Sequence, residues 1–284
     1  MSKRVITGAA FAIVVLAGVL LQGWTMLALL SFAMVASTYE MYKAIRSTGI
    51  EPVRWAGYVF CGMTIAAECV AFYVPGEMPV SMIALLLSVM AAMTRLVLRG
   101  KIAVESLMAT VFPMLYPGIF YMVLMELLQF ENRAAITVAL VLSFFAASVN
   151  DVFALFTGML LGRHKLAPEL SPKKTIEGAI GGLIASVLFS MAIPGLLKLL
   201  LGASSPLLAG FDALPPLWSF ALLGLVAGAL SQVGDLTASM VKRHCGVKDF
   251  GKLLPGHGGV MDRMDGILFC GSVCYVFFKI VGIG

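Results

Sequence analysis

Residues Ala134–Leu161 read AAITVALVLSFFAASVNDVFALFTGMLL, a long run with one charged side chain, Asp151. About 20 apolar residues are enough to cross the hydrocarbon core of a bilayer as a helix. The run does not alternate, which excludes a strand of a β-barrel. It reads as a spanning helix that carries a polar pair, Asn150 and Asp151, at mid-depth. An acid there costs several kcal/mol and is a functional candidate by default, with a helix–helix hydrogen bond as the plainer role.

Eight similar runs flank it. Val5–Leu21, Trp24–Thr38, Trp55–Val74, Met78–Leu98 and Val104–Leu128 come before, and Thr175–Leu200, Pro216–Lys242 and Asp262–Ile283 come after. Apolar residues make up 60% of the 284-residue chain and charged residues 12%. A soluble domain is nearer half and a quarter. Lipid forces every backbone amide to be paired within its own segment. The expected class is therefore all-α: a polytopic helical membrane protein with about nine transmembrane helices. The first run lacks a signal-peptide cleavage site and reads as a true span. Gln22-Gly23 alone separates the first two runs, as a tight hairpin or an interruption of one long element. Pro113 and Pro117 predict a kink in the fifth run.

Basic residues orient these spans, because cytoplasmic loops collect Lys and Arg. A cytoplasmic N-terminus puts Lys3, Arg4, Lys43, Arg46, Arg54, Arg99, Lys101, Arg163, Lys165, Lys173, Lys174 and the whole Lys242–Arg263 segment inside. The outer loops then hold only Arg133, with Lys198 and Lys279 near outer helix ends. The C-terminus falls outside, the polar site lies on the cytoplasmic side, and a bacterial inner membrane is the expected location. Tyr39–Ser47 reads as a short mixed segment along the interface. The net charge of +5 follows from this asymmetry.

Intramembrane polar groups concentrate late in the chain. Residues 1–140 read as a scaffold half and 141–284 as a catalytic half of one integral membrane domain. The five cysteines show no CxxC spacing, so neither zinc nor a disulfide framework is expected.

Two cytoplasmic segments carry chemistry. Ser171-Pro172-Lys173-Lys174-Thr175 offers hydroxyls and two ammonium groups where a helix can open. First-turn N–H groups of a helix attract anions, so a phosphate site is expected there. Ser239–Asp265 reads SMVKRHCGVKDFGKLLPGHGGVMDRMD, an unusual density of charge, Gly and His beside a bilayer. Upstream, Ser231, Asp235, Ser239 and Lys242 are spaced to share one helix face. Asp262 and Asp265 share a face at the start of the last helix. Hard oxygen ligands of this kind favour Mg²⁺, which takes its remaining ligands from water and substrate phosphates. The acids could instead pair with Lys242, Arg243 or Arg263. Pro255-Gly256-His257-Gly258-Gly259 is a nearly side-chain-free turn in which backbone N–H groups can approach a ligand and His257 can donate to a phosphate.

The segment Ser239–Asp265 resembles the signature of the phosphatidate cytidylyltransferases, or CDP-diacylglycerol synthases. Ser239, Lys242, Arg243, Lys248, Asp249, Pro255, Gly256, His257, Gly258, Gly259, Asp262, Arg263 and Asp265 fill its places. QVGDLTAS, ending at Ser239, resembles a second element of that family, and HKLAPELSPKKTIEG a third. Asp151 matches an acid that opens another family motif. Leu155, where an aromatic often stands, and Gly266, where Ser is common, depart from the pattern.

The resemblance implies transfer of a cytidylyl group from CTP to phosphatidate, giving CDP-diacylglycerol and pyrophosphate. It implies a catalytic set of Asp235, Asp262, Asp265, Lys242 and His257, with Mg²⁺ on Asp235 and Asp262 and a second cation left open. It implies substrate contacts from Asp151, Ser171, Lys173, Lys174, Thr175, Ser239, Arg243, Lys248, Asp249, Gly258, Gly259 and Arg263. CTP from water and phosphatidate in the bilayer are the expected partners. No nucleic acid is expected, and homo-oligomerisation is left open. The rival readings are an ion-coupled transporter, with Asp151 and Asp235 on an ion path, and cytidylyl transfer to a different lipid phosphate. Asn in place of Asp235 or Asp262 is expected to spare folding, since a charge near lipid is then lost.

Overall fold

The structure, a computed structural model, describes residues 2–73, 80–100, 104–254, 256 and 258–283. Its helices fall into nine rods among the described residues, one for each apolar run. They are α1 (Ser2–Leu21), α2 (Gly23–Arg46), α3 (Arg54–Ala71), α4 (Val80–Leu98) and α5 (Val104–Gln129). After these come α6 (Arg133–Leu161), α7 (Ile176–Leu201), α8 (Leu217–His244) and α9 (Met261–Ile280). Five of them, α4 to α8, are long and apolar enough to cross a membrane. The protein is a helical membrane protein. Ile180, Ile184 and Leu188 make an exposed apolar stripe along α7, a face suited to lipid and costly in water.

Local chemistry explains the breaks. Gln22 and Gly23 both take left-handed backbone, with φ of 48° and 47°, which ends α1 and starts α2. In α5, Pro117 supplies no N–H, and Tyr116 leaves helical geometry (φ −131°, ψ 109°), so the expected kink is present. Two features differ from the sequence reading. Tyr39–Arg46 is not a separate segment but the last turns of α2, whose buried face continues through Glu40, Met41, Tyr42, Ala44 and Ile45. The loop after α6 folds as an antiparallel hairpin of β1 (Lys165–Ala167) and β2 (Ser171–Thr175), with Lys165 opposite Thr175 and Ala167 opposite Ser171.

The chain forms two compact units. One comprises Met1–Ala10, Gly23–Gln129 and Lys242–Arg263. Its core joins α2, α3 and α5 through Met34, Tyr42, Phe60, Met114 and Tyr121. Tyr42 donates to the Thr110 carbonyl at 2.8 Å, and Ser37 and Tyr121 share a 2.8 Å hydroxyl hydrogen bond. The other unit comprises Phe11–Gln22, Phe130–Val241 and Met264–Gly284. Small residues dominate its helix contacts. Gly158 of α6 faces Gly178 of α7, and Gly224 and Gly228 of α8 face Ser186. In a bilayer such contacts let backbones approach and gain dispersion where apolar burial gives little. Buried Asn150 sits among them. Its amide donates to the Gly228 carbonyl at 2.8 Å, and its carbonyl accepts from Gln232 at 2.9 Å. This is the helix–helix role weighed for Asn150 above.

Candidate active site

In the second unit, Thr175 caps α7 by accepting from Gly178 N–H at 3.1 Å, as its position ahead of an apolar run predicts. Glu177, in the first turn, accepts from the N–H groups of Arg163 (3.1 Å) and His164 (3.3 Å) and meets His164 Nδ1 at 2.6 Å. This carboxylate ties the start of the hairpin to α7. The hairpin presents Lys173 to solvent, while Lys174 turns in and forms an ion pair with Asp235 of α8. Each partner in that pair is about a quarter exposed, 26%. Next to Asp235, Gly234 packs against the backbone carbonyl of Asp265, and Gly266 packs against Ser231. A Cβ at Gly266 would lie 2.7 Å from Ser231 Oγ, so the Gly that departs from the family pattern sits at a close helix approach.

In the first unit, α8 ends where Gly246 adopts φ 66° and donates to the Arg243 carbonyl, while Val247 donates to the Lys242 carbonyl. This is the usual glycine closure of a helix C-terminus. The loop then runs to α9 and wraps Asp262, whose side chain is 3% exposed. Asp262 Oδ1 accepts from Lys242 Nζ at 2.8 Å, and Oδ2 accepts from the N–H groups of Phe250 and Gly259, each at 2.9 Å. Lys242 Nζ also lies 5.4 Å from the centre of the Phe250 ring. Gly258 has φ +85°, and a Cβ there would fall 2.8 Å from Asp262 Oδ2, so only glycine fits the wrap. Burial pushes the Cys245 thiol up.

The carboxylates differ as sites for Mg²⁺. Asp235 is partly exposed and offers hard oxygens beside a single ammonium, which fits a hydrated cation. Asp262 already accepts three donors, so a cation would have to take the Oδ1 position that Lys242 holds. Among the described residues no three His, Cys, Asp or Glu side chains gather as a ready-made metal cage. Mg²⁺ in phosphate chemistry takes few protein ligands and keeps several waters.

The sequence model of the Cytidylyltransferase family matches residues 2–281. The chain belongs to the cytidylyltransferase family. A phosphatidate cytidylyltransferase of Brucella abortus is 44% identical over 128 residues, which cover 45% of this chain and 42% of that protein. One from Thermotoga maritima is 39% identical over 133 residues, 47% of this chain and 46% of that protein. Phosphatidate cytidylyltransferase 4, chloroplastic, of Arabidopsis thaliana is 30% identical over 306 residues, 98% of this chain and 73% of that protein. The chain thus spans 42% to 46% of the length of these two bacterial relatives.

The family's motif residues occupy distinct settings here. Lys174 and Asp235 meet, and so do Lys242 and Asp262. Asp265 is buried, at 8% exposure. Ser171, Thr175, Ser239 and Gly258 are half-buried, Gly259 is buried, and Asp151, Lys173, Arg243, Lys248, Asp249 and Arg263 are exposed. His257 and Pro255 lie outside the described residues. Sequence reasoning missed Glu40 of α2, whose buried carboxylate accepts from Val260 N–H at 3.2 Å and Met261 N–H at 2.9 Å. It missed Glu177 as a hairpin tie as well. Glu40 was hard to find because its partners are backbone groups some 220 residues away.

Proposed function

We propose that this protein transfers a cytidylyl group from CTP to phosphatidate. A phosphate oxygen of the lipid attacks the α-phosphorus of CTP, and the bond to the β-phosphate breaks. CDP-diacylglycerol forms and pyrophosphate leaves. The family match across residues 2–281 carries this reading. The ammonium–carboxylate pairs Lys174–Asp235 and Lys242–Asp262 support it chemically. Lipid phosphate is already anionic, so the nucleophile needs little help from a base. The obstacle is bringing two anions together, which positioning and charge neutralisation overcome.

In this reading Lys173, Lys174, Lys242 and Arg243 hold phosphates. Ser171, Thr175, Ser239, Lys248, Asp249, Gly258, Gly259, Arg263 and Asp151 contact substrate, with Asp265 and His257 completing the catalytic set. Mg²⁺ belongs at Asp235 and Asp262, the acids that the resemblance assigns to it, and a second cation remains open. When bound, it neutralises triphosphate oxygens and stabilises the departing pyrophosphate. Lys174 and Lys242, relieved of their carboxylates, are then available to phosphate.

The membrane reading completes the proposal. All nine rods cross, the N-terminus is cytoplasmic, the C-terminus is outside, and the polar loops face the cytoplasm of a bacterial inner membrane. CTP then reaches the motif residues from water while the acyl chains stay in lipid. Residues 1–140 act as scaffold and 141–284 as the catalytic half. Labelling of cysteines placed at Ser171 or Gly251 from outside only would contradict this orientation.

The deciding assay is purified protein with radiolabelled CTP and Mg²⁺, offered phosphatidate or other lipid phosphates. CDP-diacylglycerol and pyrophosphate in equal amounts are expected with phosphatidate. Turnover only with another lipid phosphate would change the acceptor, and no turnover with any would sink the reaction.

A further inference from the structure

We propose that Glu40 is a positioning residue that holds the Lys242–Asp262 pair in place from α2. The carboxylate is 5% exposed, deep in the first unit, and its hydrogen bonds go to the N–H groups of Val260 and Met261. These N–H groups open α9, where the first turn has no intrahelical acceptors and the helix dipole favours an anion. A remote side chain therefore caps α9. The loop closes on the same carboxylate from both sides, since a Cβ at Gly251 or at Gly259 would overlap it. Neither position tolerates a side chain while Glu40 is there.

The next residue along the chain carries the effect to the lysine. Asp262 Oδ2 accepts from Gly259 and Phe250, so Glu40 and Asp262 together bind three successive N–H groups, those of Gly259, Val260 and Met261. With that backbone fixed, Asp262 Oδ1 points at Lys242 Nζ. The far end of the loop is tied to the same helix region, because Ser47 Oγ donates to the Cys245 carbonyl at 2.9 Å. Glu40 hydrogen-bonds only N–H groups of Val260 and Met261, residues not proposed to meet substrate, and packs beside Gly259. It sets where Lys242 and Asp262 stand.

Glutamine at this position keeps the shape but replaces one acceptor oxygen by an NH₂ donor. One of the two loop N–H groups then faces a donor. The test compares wild type, Glu40→Gln, Lys242→Arg and the double variant, with amide hydrogen exchange and with CTP turnover. Its kinetic arm rests on the transfer reaction proposed above, whereas the exchange arm needs no substrate. Glu40→Gln is expected to speed exchange at Gly259, Val260 and Met261 at least about tenfold and to lower kcat by at least about tenfold. The double variant is expected to turn over no more slowly than Lys242→Arg alone, because residues acting through one another are not additive. Wild-type exchange at these amides overturns the proposal, and so do rate losses that multiply in the double variant. If wild type itself fails to use CTP, the reaction is wrong and exchange alone decides on Glu40. Should Glu40→Gln not fold, Glu40→Asp, which keeps both oxygens one methylene short of the loop, carries the same comparison.

Discussion

Lys242 Nζ donates to Asp262 Oδ1 at 2.8 Å, across a loop that Asp262 itself holds closed through Phe250 and Gly259. This contact gives Asp262 a structural part beside the chemical one proposed above. These three hydrogen bonds argue against the expectation that Asn there would spare folding. An amide has one acceptor oxygen, so either the ammonium or the two N–H groups must face an NH₂ donor. Asp262→Asn is predicted to lose about 1–3 kcal/mol of stability, since buried donors are left unmade. Thermal unfolding in detergent checks it, and an unchanged Tm would show that the loop repacks freely.

Lys174 and Asp235 behave differently because both are partly in water. Ion pairs open to water contribute about 0–1 kcal/mol. Lys174→Ala and Asp235→Asn are each predicted to leave Tm nearly unchanged while CTP turnover drops at least about tenfold. A double-mutant cycle on stability should give a coupling under about 1 kcal/mol. A large coupling would assign the pair to the fold.

Metal dependence supplies a third prediction. Chelation should abolish turnover and added Mg²⁺ should restore it, because the reacting groups are both anions. Asp235→Asn should raise the Mg²⁺ concentration needed for half-maximal rate, by about tenfold for each 1.4 kcal/mol of lost binding. Full activity in chelator would remove the metal from the mechanism.

Asn150 and Gly182 allow a test of packing alone. A Cβ at Gly182 would overlap the Asn150 side chain and lie 2.8 Å from its backbone carbonyl, which cannot rotate away. Gly182→Ala should therefore cost about 1–3 kcal/mol by overpacking. Asn150→Ala should also destabilise, by removing the hydrogen bonds to the Gly228 carbonyl and from Gln232, which keeps the Ala179 carbonyl as its partner. Wild-type melting in both would mean that α6, α7 and α8 separate more easily than their contacts indicate.

The sequence by itself determined the membrane class and the positions of all nine rods, because apolar runs as long as Ala134–Leu161 have few other uses. Pro113 and Pro117 announced the kink in α5, and Thr175 announced the start of α7, because both effects are local. The motif residues were legible as types and spacings, and the family match agrees with that resemblance. Tertiary structure alone decided which lysine meets which acid. Five Lys and Arg residues lie between Ser239 and Asp265, yet only the fold of the loop selects Lys242 through Oδ1 and fills Oδ2 with backbone donors. It also decided that Glu40, an unremarked acid near the end of an apolar run, caps α9. Such a contact joins a side chain to backbone N–H groups, and every residue but proline has one of those. No pattern of residue types can mark it, so it exists only once the chain has folded.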